Sequence, residues 1–70
     1  MDDESRDDRL GRLAVSGILM DLLDVPTLRA CRIARELTRE QRAEITRAAG
    51  LPIRDQAAES VAAILLTADR

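Results

Sequence analysis

Histidine, lysine, phenylalanine, tyrosine and tryptophan are all absent from this chain, and Cys31 is its only cysteine. A single cysteine cannot close an internal disulfide. A tetrahedral zinc site draws three or four Cys or His ligands, and this composition cannot supply them. Neither a metal nor a cofactor is therefore expected. The missing rings remove the stacking platforms that hold single-stranded nucleic acids. They also leave Leu, Ile, Val, Ala and Met to fill the interior by shape alone. Cys31 itself reads as a small residue at the edge of an apolar face.

Acid-base machinery is equally sparse. Asp21 and Asp24 lie three apart, as a pair of catalytic carboxylates or oxygen ligands would, but no His, Lys or Tyr exists to share a proton with them. They read as solvated helix-end groups, no catalytic residue is assigned, and an enzyme is not expected. Long apolar runs are lacking as well. The stretch from Leu13 to Met20 ends at Asp21, far short of the roughly 20 residues that a spanning helix needs. No membrane partner is expected. Met1-Asp2-Asp3-Glu4 is acidic where a secretory signal is basic, and with one unpaired cysteine the expectation is a soluble, cytoplasmic protein.

What is present is helical. Residues 1–8 hold five acidic groups against Arg6, which predicts a flexible acidic arm ahead of a single helical domain over residues 9–70. Ser5 and the aspartates of that arm place acceptors and negative charge where a first helix would start, near Asp8. From Arg9 to Asp24 apolar residues run nearly all round a helical wheel. Such a helix lies either at the centre of a fold or under a second chain. Asp24-Val25-Pro26 breaks it, because proline turns the residue before it away from helical geometry while suiting a helix's first turn.

At roughly 100° per residue, Ala30, Ile33, Ala34, Leu37, Gln41, Ile45, Ala48 and Ala49 share one side of the next segment. Arg32, Arg35, Arg39 and Arg42 share the opposite side, with Glu36, Glu40 and Glu44 beside them. The phase persists over residues 27–49, so one long helix is open, yet Thr38 and Gln41 also spell a capping box that would start a new one. Two helices or a kink are favoured. Gly50 is expected to end this segment in a left-handed conformation, with Leu51-Pro52 as the stop. A last helix is predicted from Arg54 or Asp55 to Ala68, with Ala57, Ala58, Val61, Ile64, Leu65 and Ala68 on its inner face.

The fold class that follows is all-α, three or four short helices in up-down order, completed by self-association. A chain of 70 residues buries only about 60 % of its unfolded surface, and apolar area beyond what one neighbour would cover points to a homodimer. Leu19, Leu22, Val61, Ile64 and Leu65 are the expected interface. The function that follows is binding. Residues 26–54 carry seven arginines against Glu36, Glu40 and Glu44, while residues 1–25 carry seven acids against three arginines. Arg32, Arg35, Arg39 and Arg42 are the candidate site for an acidic surface on a partner protein, since guanidinium groups meet carboxylates with forked hydrogen bonds. The competing interpretation is a solvated face laced by local pairs such as Arg32 with Glu36.

Nucleic acid is the second partner considered, with a dimer laying two arginine strips on the phosphate backbone. A helix-turn-helix with Gly50 in its turn does not fit. It would bury Gln56 and Glu59 and aim Asp55 and Glu59 at phosphates.

Overall fold

The computed structural model describes residues 6–68. Four helices follow one another: α1 (Arg6–Leu23), α2 (Thr27–Glu36), α3 (Arg39–Ala49) and α4 (Arg54–Ala68). There is no strand among the described residues, and the all-α class is as expected. Residues 1–5 of the expected acidic arm, Ser5 included, lie outside the described residues. Arg6, Asp7 and Asp8 belong to α1, which therefore runs two residues further back than the expected start at Asp8.

The apolar surround of α1 is explained only in part by its place in the fold, since Leu10, Leu13 and Met20 stay exposed. The helix packs against α2, α3 and α4 in turn, and α3 packs against α4. Val15 and Leu19 project from α1 into the centre, where Ala30, Ala34 and Leu37 of the α2 segment, Ile45 of α3 and Val61 of α4 close around them. Alanine at 30 and 34 lets α2 approach α1 closely, as ridge-and-groove packing requires. The one buried polar side chain among the described residues, Ser16, donates its Oγ hydrogen to the Arg12 carbonyl at 2.8 Å. Its hydroxyl is thus satisfied within its own helix.

The chain leaves α1 through Asp24, whose φ of 55° is the one positive value among the described non-glycine residues. The Val25 N–H then closes onto the Leu19 carbonyl at 3.3 Å. Aspartate tolerates this left-handed geometry better than most side chains, so the helix ends at Leu23, with Asp24 and Val25 leading to Pro26 and no glycine needed. Gly50 was the expected left-handed residue, and this expectation is corrected: its φ and ψ are −82° and −1°. The N–H groups of Gly50 and Leu51 instead reach the carbonyls of Arg47 and Ala48, both at 3.1 Å. Tight three-residue bonds of this kind end the helix without any excursion to positive φ.

The choice at Thr38 is settled as two helices. Leu37 is extended, Thr38 Oγ1 accepts from the Gln41 N–H at 3.1 Å, and Gln41 Oε1 accepts from the Thr38 N–H at 2.8 Å. Both halves of the capping box are formed. Because only two residues intervene, the apolar phase carries across the break, and Leu37 and Ile45 stay on the core side.

Candidate partner-binding surface

The four arginines expected to form one strip occupy two helices. Arg32 and Arg35 lie on α2, Arg39 and Arg42 on α3, and the break at Leu37–Thr38 gives the two pairs different surroundings. Arg42 turns inward. Its side chain keeps only 12 % of its exposure, donates to the Leu37 carbonyl at 2.8 Å, and stands 3.6 Å from Asp8. It also passes over Gly11 of α1, where a β-carbon would sit 3.7 Å from its Nε. The guanidinium thereby caps the carbonyl left open where α2 stops and ties the α2–α3 corner to α1.

Arg39 is exposed but engaged, donating from Nε and from a terminal nitrogen to one Asp8 oxygen at 3.1 and 2.7 Å. Arg54, at the start of α4, holds Asp21 through both terminal nitrogens, donating to its two carboxylate oxygens at 3.2 and 3.3 Å and to its backbone carbonyl at 2.5 Å. The hydrogen bond to Asp21, followed by that carboxylate's charge, raises the Arg54 guanidinium above its ordinary value. From the guanidinium's side the contact persists below the ordinary guanidinium range and is lost only as pH rises beyond it. Salt, not pH, is what weakens it from the guanidinium's side.

The arginines of α2 are disposed differently. Arg29, Arg32 and Arg35 are exposed and make no ion pair among the described residues. Leu28, Arg32 and Arg35 follow at i, i+4 and i+7, which places them above one another on one helix face. Leu28 is 84 % exposed, more than any other large apolar side chain described. An open leucine stacked with two open guanidinium groups is a surface able to offer an apolar anchor and two forked donors together.

The expected dimer residues also fall into two groups. Leu19 and Val61 are fully enclosed by the chain's own core, whereas Leu22, Ile64 and Leu65 are half-buried. A groove of about 590 Å³ opens between α2 and α4, which share no extensive packing. Ile33 and Leu37 form its α2 wall, Leu65 and Leu66 its α4 wall, and Val25 belongs to its lining. Sequence periodicity could not reveal it, because the gap arises from how α1 spaces its two neighbours. A second depression of about 210 Å³ lies between α3 and α4, with Glu44 as its one ionisable lining group.

Among the described residues no three His, Cys, Asp or Glu side chains are grouped to hold a metal, and no helix is long and apolar enough to cross a membrane. Gln56 and Glu59 are exposed on α4, opposite to what the helix-turn-helix frame requires. Fold and surface thus define a small all-α bundle with an arginine-bearing helix face. The chain matches no protein-family model, and no curated protein or solved structure is significantly similar to it.

Proposed function

We propose that this chain is a non-enzymatic protein-interaction module, of the regulatory or adaptor kind, that holds an acidic surface on a partner protein through the arginine face of its second and third helices. The observation that carries the proposal is the contrast between the two arginine pairs. Arg39 and Arg42 are engaged by Asp8 and, for Arg42, by the Leu37 carbonyl. Arg32 and Arg35 stand open beside Leu28. In this arrangement Arg42 sets the angle between α2 and α3, Arg39 lies at the margin, and Arg32 and Arg35 do the holding. The fitting partner presents carboxylates around a shallow apolar recess that takes Leu28. Asp8 screens the Arg39 end of the face, and a sufficiently acidic partner competes with it there.

The test is calorimetric titration of the protein with a glutamate-rich helical peptide carrying apolar residues, and separately with a DNA duplex. The peptide is expected to bind, and Arg32→Glu with Arg35→Glu to weaken it at least tenfold. Binding only to the duplex, with affinity falling steeply as salt rises, would replace this reading with phosphate-backbone recognition.

A further inference from the structure

We propose that the groove between α2 and α4 is closed by the same groove of a second copy of this chain, in a two-fold dimer with the two α2 helices antiparallel across the interface. The groove is apolar along its walls, and its α2 rim carries two charged side chains of opposite sign, Arg29 and Glu36. Seven residues separate them, which is about 10.5 Å along the helix and nearly the same direction around it. They are too far apart to pair within one helix. Neither makes an ion pair among the described residues.

A rim with a cation at one end and an anion at the other is self-complementary under a two-fold axis. Turning a second copy end over end places its Glu36 against Arg29 and its Arg29 against Glu36, so both pairs form at once. This charge order selects a second copy over an unrelated helix. The apolar walls agree with it. Leu66, on the α4 side of the groove, is 73 % exposed in the single chain, and facing copies cover it together with Ile33, Leu37 and Leu65. A standard interface takes about 800 Å² from each partner, about 15 % of this chain's 5286 Å².

The interface differs from the one expected from sequence, since Leu19 and Val61 have no surface to give, while Leu65 keeps its place in it. The axis passes level with Arg32 and Ile33, midway between Arg29 and Glu36. Leu28 and Arg35 point away from the groove wall, so each dimer keeps two outer arginine faces. The dimer stands whether or not an acidic partner binds those faces.

The deciding experiment is sedimentation equilibrium on the whole chain and on charge-reversed variants, with circular dichroism confirming that each is helical. Wild type is expected to be a dimer. Arg29→Glu alone sets two glutamates against two glutamates, Glu36→Arg alone sets arginine against arginine, and each is expected to weaken dimerisation about tenfold. An equimolar mixture of those two variants restores both opposite-charge pairs and is expected to form a heterodimer. Leu66→Asp, at a side chain already open in the single chain, is expected to give a folded monomer. A wild-type monomer at every concentration, a folded Leu66→Asp variant that stays dimeric, or a mixture that forms no heterodimer would each overturn the proposal.

Discussion

Three positions show how backbone conformation decides what a residue contributes. Asp24 occupies a left-handed conformation with φ of 55°, where a β-carbon costs roughly 1–2 kcal/mol unless the side chain is short and polar. Asp24→Gly is expected to raise stability by up to about 1 kcal/mol and Asp24→Val to lower it by about 1–2 kcal/mol, as read by urea denaturation. Gly50 and Gly17 are the opposite case. Gly50 has negative φ, and its nearest obstacle to a β-carbon is the Arg47 carbonyl at 3.4 Å. Gly17 lies inside α1 with nothing within 4 Å of where a β-carbon would be. Alanine at either position is expected to stabilise by about 0.5–1 kcal/mol, by restricting the unfolded chain and favouring helix. The same measurement checks both. Glycine punctuation in the sequence pointed at Gly50 as the left-handed residue, whereas that geometry sits on Asp24, two residues ahead of Pro26, with the proline's restriction falling on Val25.

The elements were legible wherever a local rule fixed them. Pro26 sets the start of α2, and the Thr38–Gln41 box sets the start of α3. Thr38→Ala removes one half of that box and is expected to cost about 1 kcal/mol, with the loss read as a lower denaturation midpoint. What a helical wheel could not resolve was the fate of its polar face. Because the apolar phase runs unbroken from Ala30 to Ala49, the four arginines look equivalent in projection. The extended residue at Leu37 alters the axis between the pairs and leaves a carbonyl that Arg42 turns in to cap. Arg42→Ala is therefore expected to cost about 1–2 kcal/mol, as a lost charge-assisted bond in a mostly covered setting. Arg39→Ala, whose side chain is 75 % exposed, is expected to cost about 0.5 kcal/mol or less. Equal effects of the two substitutions on the denaturation midpoint would contradict this division. The groove between α2 and α4 lay beyond sequence reasoning altogether, because a gap between two helices is a property of the helix that separates them.

Taken whole, the molecule is four short helices around a small aliphatic centre in which Leu19, Ile45, Val15 and Val61 are the largest fully enclosed side chains. With no ring and no cross-link, the margin rests on a few such groups. Leu19→Ala is expected to cost about 2–5 kcal/mol, enough to unfold much of a domain of this size, and thermal unfolding followed by circular dichroism reads it directly. Outside that centre the charges divide by side. The acids of α1 draw in Arg39, Arg42 and Arg54, and the arginines of α2 are left facing outward. The measurement that tests this account most directly is amide chemical-shift mapping of the isotopically labelled protein during titration with a glutamate-rich helical peptide. Saturable shifts concentrated at Leu28, Arg32 and Arg35, and lost in the Arg32→Glu, Arg35→Glu variant, are the predicted result. Shifts centred on the α4 face of Gln56 and Glu59, or no saturable shift at all, would contradict it.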